Sequence, residues 1–109
     1  MESLVNGNIE AHLAAKLVVE LVGGEPYEYY PLGDHIVRAV GVCSGRPTFK
    51  YTRIDVDFIL NELAHGCTVS YLVEAYRDSH LTEAAIQEAI MLARSAFKSS
   101  YQTPLPATV

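Results

Sequence analysis

The chain has 109 residues, a formal net charge of −5 and an apolar fraction of 50%, which suits one domain with one hydrophobic core. Its pI of about 5.2 excludes the strongly basic class of nucleic-acid-binding domains, whose pI exceeds about 9. No apolar run approaches the roughly 18–20 residues of a membrane-spanning helix. Two cysteines are too few for a secreted disulfide framework. We therefore expect a single cytoplasmic domain over residues 1–109, without a signal peptide or a membrane segment.

The first third of the chain predicts a helix and then a loop. Asn8 can cap a helix over residues 9–22 that ends at a pair of glycines. The apolar stripe of this helix repeats every four residues, at Leu13, Leu17 and Leu21. Residues 25–33 contain two prolines and are typical of an ordered loop or irregular strand, with a cluster of Tyr27, Tyr29 and Tyr30. The tyrosines could form a binding face, a flap packed over the core or a subunit interface. We favour an interface formed by the leucines and the tyrosines, because so apolar a small domain favours a homo-oligomer.

The middle of the chain predicts a short β-hairpin, the only sheet that we expect. Residues 35–42 and 48–54 are extended segments on either side of the Ser44–Gly45 turn. The same region concentrates positive charge, because residues 41–54 contain no acidic side chain and three basic ones, Arg46, Lys50 and Arg53. An anionic ligand would be attracted to this cationic segment.

From residue 56 onward the hydrophobic period changes from 2 to 3.6, which predicts three amphipathic helices. Their expected N-caps are Asp55, Thr68 and Thr82. The inward side chains of the last helix are expected to be Ile86, Ala89, Ile90, Ala93 and Phe97. The joint over residues 65–67 has a central glycine and is short enough for helix-turn-helix geometry. The predicted fold class is mostly α: an N-terminal helix, a short β-hairpin and a C-terminal three-helix, helix-turn-helix-like bundle.

Three motifs in chain order resemble the domain-of-unknown-function family 433. The first is a Gly-basic-Pro strand ending in a Thr-Arg-aliphatic turn, here residues 45–56. The second is the turn Leu-Ala-x-Gly-x-Ser/Thr, here residues 63–68, and the third is a Tyr, a short turn and Leu-Thr before a last helix, here residues 76–86. The resemblance covers about residues 35–98, with a departure at Tyr51, where the family usually has a glycine that eases a backbone turn.

The resemblance implies a bacterial protein with a small helix-turn-helix fold, often oligomeric and similar to the DNA-binding part of VapB-type antitoxins. DNA and a toxin protein are the partners that it implies. The expected organisation is a helix and tyrosine–proline loop over residues 1–33, a family-like strand and three-helix module over 34–98, and a mobile tail over 99–109.

The cationic segment has two interpretations. Its basic side chains could contact phosphates, or they could guard a sheet edge, with Arg53 bonded to Asp55 or Asp57. In a three-helix module the last helix would be the reader: Gln87 and Arg94 could read base edges, and Lys98 is a further nucleic-acid-binding candidate. Glu83 and Glu88 on the same helix would repel phosphate.

Neither a metal site nor a catalytic centre is predicted, and we expect no cofactor. His65 and Cys67 lack the spacing of tetrahedral zinc ligands, and Asp34–His35 lacks a third orienting group. The leading hypothesis is a non-catalytic, DNA-binding regulatory or antitoxin-like module that acts as a homo-oligomer, with a dimer favoured. The alternative is a protein-binding or scaffold oligomer of the same fold without DNA affinity, which the acidity of the chain favours.

Overall fold

The computed structural model describes residues 16–106, which form a four-stranded antiparallel sheet followed by three helices. The strands have the same order in the sheet as in the chain: β1 (Val18–Val22), β2 (Glu25–Pro31), β3 (Ile36–Ala39) and β4 (Pro47–Phe49). The helices are α1 (Val56–Ala64), α2 (Val69–Ala75) and α3 (Glu83–Ser99). Short 3-10 turns lie at Cys43–Gly45 and Arg77–Ser79. The predicted mostly-α class is wrong, because a sheet occupies the first part of the described chain.

The predicted N-terminal helix over residues 9–22 does not form in the described part of the chain. Residues 16–22 are a short irregular stretch and β1. The expected cap and the first leucine lie outside the described residues: Asn8 and Leu13. A repeat of four residues is even, so Leu17 and Leu21 share one face of a strand as readily as one face of a helix. The valines around them favour the strand, because β-branched side chains lose less freedom there than in a helix.

The two glycines that were expected to end a helix form the turn of the β1–β2 hairpin instead. Gly23 and Gly24 have left-handed φ angles of 61° and 84°, as a type I′ turn requires at both central positions. The tyrosine-rich segment is consequently the regular strand β2, paired antiparallel with β1. Strand alternation places Tyr27 and Tyr29 on one face of the sheet and Tyr30 on the other.

The predicted hairpin in the middle of the chain is present as β3 and β4, which are shorter than the extended segments around them. Their paired residues are Ile36↔Phe49, Val37↔Thr48 and Arg38↔Pro47. A tight turn follows, in which the Thr52 N–H donates to the Phe49 carbonyl over 3.0 Å. Tyr51 lies in the left-handed region of this turn with φ 68°. The backbone therefore keeps a conformation that suits glycine, although a tyrosine occupies the position.

The three predicted helices are present and begin at the expected caps. Each cap oxygen accepts a backbone N–H from the first turn: Asp57 N–H to Asp55 (2.8 Å), Tyr71 N–H to Thr68 (3.0 Å) and Ala85 N–H to Thr82 (3.2 Å). Each such cap contributes about 1 kcal/mol to helix stability. The caps explain why these three helix starts can be read from the sequence.

Two apolar clusters lie on opposite faces of the sheet. The larger lies between β3, β4 and the helices, and its buried members are Ile36, Phe49, Val56, Ile59, Leu72, Leu81, Ala85, Ile86 and Ala89. The smaller consists of Tyr29, Val37 and Ala39, with Val18, Tyr27 and Val42 around them. Because successive strand residues point to opposite faces, Ile36 enters the larger cluster and Val37 the smaller one.

A carboxylate on α3 holds the loop between β2 and β3. Glu88 accepts hydrogen bonds from the Asp34 N–H over 2.8 Å and from the His35 N–H over 2.7 Å. The loop approaches α3 so closely that a Cβ on Gly33 would lie 2.5 Å from a Glu88 carboxylate oxygen. Glu88, which was expected to repel phosphate from an exposed position, instead joins the sheet to α3.

Replacing Gly33 with alanine is expected to destabilise the fold, because the new Cβ would displace the Glu88 carboxylate from both backbone donors. We expect a loss of about 1–3 kcal/mol in the free energy of unfolding, measured by urea denaturation. Glu88→Ala should cost a similar amount, and the double variant little more than either, since both changes remove the same contact. Gln87→Ala is the control and should cost less than about 0.5 kcal/mol. Fully additive costs in the double variant would contradict this account.

Candidate nucleic-acid and protein interfaces

Arg46 is bonded within the protein. Its Nε donates to the Asp55 carboxylate over 2.7 Å, so the guanidinium joins the start of β4 to the N-cap of α1. This hydrogen bond holds the pKa of the Asp55 carboxyl below its ordinary value. The sequence left open a structural ion pair between Arg53 and Asp55, and in the structure Arg46 makes it.

Lys50 is also engaged, by aromatic rings of two neighbouring elements. Its Nζ lies 5.1 Å from the centre of the Tyr29 ring and 5.2 Å from that of Tyr51, within the range of cation–π attraction. The hydroxyls of both tyrosines donate to the Glu20 carboxylate on β1, each over 2.7 Å. The Tyr51 N–H donates to the Tyr27 hydroxyl over 2.9 Å. We call these five residues the tyrosine cluster, and it holds β1, β2 and the turn after β4 together.

The charges of the tyrosine cluster are fixed at neutral pH. Hydrogen bonds from Tyr29 and Tyr51 lower the pKa of the Glu20 carboxyl, and the same bonds raise the pKa of both phenols. The neighbouring Tyr29 side chain raises the pKa of Lys50. The pKa values of Glu20, the two phenols that bond to it and Lys50 all move away from 7, whereas a general acid or base works best with a pKa near the operating pH. The cluster is thus suited to holding strands together and not to proton transfer.

Arg53 differs from the other two basic residues of the cationic segment. Its side chain is exposed at the corner between β4 and α1 and makes no ion pair with the residues that the structure describes. Its carbonyl accepts from the Cys43 thiol over 3.3 Å, which fixes the backbone there. Within the described chain, Arg53 is the member of the segment that stays available to an anionic ligand.

The candidate base-reading side chains of α3 are all exposed, namely Gln87, Arg94 and Lys98. Gln87 lies on the half of α3 that packs against the protein, close to the exposed acid Glu83. Arg94 and Lys98 lie on the other half. Arg53, in contrast, lies at the corner between β4 and α1, so the six predicted contacts are distributed over different elements of the fold.

The C-terminal half of α3 leaves the core. Of the five side chains expected to face inward, Ile86 and Ala89 are buried, but Ala93 is exposed and Phe97 has 67% of its surface exposed. Every residue from Met91 to Pro106 is exposed, and we call this segment the α3 arm. The expectation fails because the amphipathic pattern continues past the end of the elements against which α3 packs. None of the helices in residues 16–106 is long and apolar enough to cross a membrane.

The predicted tyrosine interface is divided by the sheet. Tyr29 is only 3% exposed and belongs to the smaller core cluster, and Tyr27 is half-buried beside it. Tyr30 points to the opposite face, where it lines an apolar groove of about 280 Å³. The other residues of this groove are Pro31, Leu32, Arg38, Ala39, Val40 and Gly45. The structure therefore does not bring all three tyrosines together on one face of the sheet.

A second, more polar cleft of about 330 Å³ lies between the β3–β4 end of the sheet and the turn before α3. Its polar lining includes Asp34, His35, Lys50, Thr52, Ser79, His80 and Thr82. In residues 16–106 no hydrogen bond joins Asp34, His35, Ser79 or His80 side chains to one another, as a nucleophile and its base would require. The described residues also contain no group of three His, Cys, Asp or Glu side chains that could hold a metal ion.

The roles of two residues on these surfaces, Glu20 and Glu88, are not predicted by the sequence. Glu20 was placed inside a helix, where it has no reason to meet a tyrosine from another element. Glu88 was read as one exposed acid among several. The Gly23–Gly24 pair followed by alternating Tyr27 and Tyr29 is the signal that could have revealed the first, since it is typical of a hairpin.

The sequence profile of the family described as "Protein of unknown function (DUF433)" matches residues 36–93, which is more than half of the chain. The chain belongs to the DUF433 family. The matched DUF433 segment begins with β3 and ends within α3, so β1 and β2 precede it and most of the α3 arm follows it. Comparisons with curated proteins and with solved structures find no match.

Lowering the pH is expected to weaken the joint between β4 and α1. The pKa of Asp55 is lower in the folded protein than in the unfolded chain, so its contribution is complete above the ordinary carboxyl pKa and is lost as the pH falls through the folded value. Asp55→Asn keeps a capping oxygen but removes the charge, so the free energy of unfolding should depend less on pH in the acid range. Asp55→Ala should cost about 1 kcal/mol more at neutral pH, because the cap is also lost. Urea denaturation from pH 7 to pH 3 measures both effects, and an unchanged acid slope in Asp55→Asn would refute the assignment.

Proposed function

We propose that this DUF433 protein is a non-catalytic, antitoxin-like regulatory module of helix-turn-helix type that acts as a homo-oligomer and binds a protein partner through the α3 arm. The observation that carries the proposal is the run of exposed apolar side chains in the arm: Met91, Leu92, Phe97, Tyr101 and Leu105. Exposed apolar surface of this extent marks interaction sites in proteins. The family resemblance supports the antitoxin-like part, since such proteins bind a toxin.

The amphipathic pattern of α3 supports a helix-in-groove mode of binding. The stripe that begins in the core with Ile86 continues along the helical part of the arm through Ala93 and Phe97, and Tyr101 follows just after the C-cap of α3. The Phe97 and Tyr101 rings pack edge-on, 5.3 Å apart, and present one aromatic surface. A partner with a hydrophobic groove could bind this stripe as it would bind the apolar face of any amphipathic helix.

The charge of the arm indicates the chemistry of the partner. The arm carries Arg94 and Lys98 and contains no acidic side chain, whereas the chain as a whole has a net charge of −5. An acidic rim around an apolar groove would complement the charge of the arm. The proposed partner is therefore a protein with such a groove, as a cognate toxin would be.

The non-catalytic part of the proposal is supported by the tyrosine cluster and by the polar cleft. The pKa directions in the cluster oppose proton transfer at neutral pH. The histidines of the cleft form no pair with a nucleophile among the described residues. The cytoplasmic location is supported by the two thiols, Cys43 and Cys67, which are both free.

Phe97→Ser is expected to weaken binding to the protein encoded beside this one by more than tenfold, because an exposed aromatic anchor is typical of binding hot spots. Tyr71→Ser is the matched control, since Tyr71 on α2 is 61% exposed and Phe97 67%. Titration calorimetry with the co-expressed neighbour would measure both affinities, and urea denaturation would show that both variants fold. Equal affinities of Phe97→Ser and the unsubstituted chain would exclude the arm as the interface.

DNA binding is a second candidate function, favoured by the availability of Arg53 and by the short joint between α1 and α2. Arg46 and Lys50 count against it, because both are already engaged within the protein.

A salt titration with the duplex upstream of the gene tests this candidate. Phosphate-driven binding should fall with salt on a log–log slope of about −0.9 per neutralised phosphate, and Arg53→Ala should reduce that slope by about 1. Arg77→Ala is the control, because Arg77 is paired with Glu74 over 2.6 Å. Absence of binding at about 50 mM salt would end the DNA hypothesis.

A further inference from the structure

β1 is an open edge of the sheet. No described strand lies beyond it, because the sheet order is β1-β2-β3-β4. Natural edge strands are usually protected by a proline, a bulge or an inward-pointing charge. β1 has no proline, and its one charged side chain, Glu20, points inward and is already bonded to Tyr29 and Tyr51. The opposite face of the strand is apolar, with Val19 57% and Leu21 77% exposed. This apolar face and the open backbone groups beside it form a template for another strand.

The hairpin turn determines which backbone groups of β1 are open. The two-residue turn makes Val22↔Glu25 the closing hydrogen-bonded pair, and such pairs then alternate along the hairpin. Positions 18, 20 and 22 consequently direct their N–H and C=O groups toward β2. Positions 17, 19 and 21 direct theirs toward the open edge, and the side chains of these three residues share one face.

From this edge we infer that two copies of the chain pair antiparallel through β1, with Val19 opposite Val19 of the partner subunit, and form one eight-stranded sheet. The inference deepens the proposed homo-oligomeric function and rests on it, because it names the surface that joins the subunits. The surface is separate from the α3 arm, which stays available for a partner of different chemistry.

The occupant is a second copy because β1 is complementary to itself. In the register centred on Val19, all three open positions meet open positions of the other strand, and Leu17 lies opposite Leu21. The exposed apolar side chains at 17, 19 and 21 of both copies then form one ladder across the interface. A two-fold axis through position 19 generates both halves of this contact, as an isologous dimer requires.

Charge selects this register over the next one. A shift that centres the pairing on Glu20 would place two carboxylates directly opposite each other, which destabilises a cross-strand pair. The register centred on Val19 places Glu20 opposite a valine and sets Lys16 diagonal to the other copy's carboxylate at that position, about 7–8 Å away. Lys16 is exposed two residues before β1, so its side chain is available for this contact.

Sedimentation of the full chain at micromolar concentration tests the interface. The unsubstituted chain should have the mass of two chains. Val19→Lys should have the mass of one, because it places two ammonium groups face to face on the axis. Val19→Thr is the matched control and should remain a dimer, since threonine keeps the strand preference and the backbone N–H. Urea denaturation of Val19→Lys should show an intact fold, because the side chain is exposed in the single chain.

Cysteine cross-linking tests the register. Two residues opposite each other at position 19 would have Cα atoms about 5.5 Å apart, within disulfide range. Val19→Cys should therefore form a covalent dimer on mild oxidation, whereas Leu21→Cys, which lies opposite Leu17, should not. The unsubstituted chain is the control, because it shows any cross-linking through the native Cys43 and Cys67.

The outcomes distinguish this inference from the proposed function. A dimer that survives Val19→Lys, or a Leu21→Cys cross-link without a Val19→Cys one, overturns the β1 interface while the chain remains oligomeric. A single-chain mass for the unsubstituted protein overturns both the interface and the homo-oligomer. Partner binding by the α3 arm is measured separately with Phe97→Ser, and it should persist in Val19→Lys.

Discussion

The strand β3 is buried on both faces, and it thereby joins the β1–β2 hairpin to the three helices. Ile36 is 1% exposed and packs among the helices, while the next residue, Val37, is 0% exposed and packs among the tyrosines on the other side. Each cluster alone is small for a stable domain. Because one strand contributes to both, the β1–β2 hairpin and the three helices cannot loosen independently. The Glu88 hydrogen bonds reinforce the same joint from α3.

Two of the three basic side chains of the cationic segment make contacts within the protein. Arg46 joins β4 to α1, and Lys50 lies against tyrosines whose hydroxyls are held by Glu20. These contacts reduce the positive charge offered to solvent, and Arg53 alone of the three is left unpaired in the described chain. Apolar surface, in contrast, is abundant at β1 and along the α3 arm. The balance favours protein partners over nucleic acid as the ligands of this fold.

The sequence predicts the helices well and the N-terminal sheet poorly, for a physical reason. Helix starts are local, because Asp55, Thr68 and Thr82 bond to backbone only two or three residues away. The strand β1 is defined by pairing, and a leucine every four residues fits both a helix and a strand. The same limit applies to the candidate sites. The basic residues Arg46, Lys50 and Arg53 can be identified from the sequence by their charge. The aromatic rings and carboxylates that engage Arg46 and Lys50 belong to other elements, and the sequence does not show which of them come close. Exposure of Phe97 could not be foreseen, since periodicity does not tell where the neighbours of a helix end.

Tyr51 joins the DUF433 segment to the hairpin that comes before it in the chain. Its left-handed backbone is costly for a side chain, yet its hydroxyl meets Glu20 and its N–H meets Tyr27, so one residue bonds to both strands of the β1–β2 hairpin. That hairpin precedes the DUF433 segment. A glycine at this position would relax the turn and leave Glu20 with one phenol. The tyrosine thus attaches the β1–β2 hairpin to the DUF433 segment, at the cost of a backbone conformation that glycine adopts more easily.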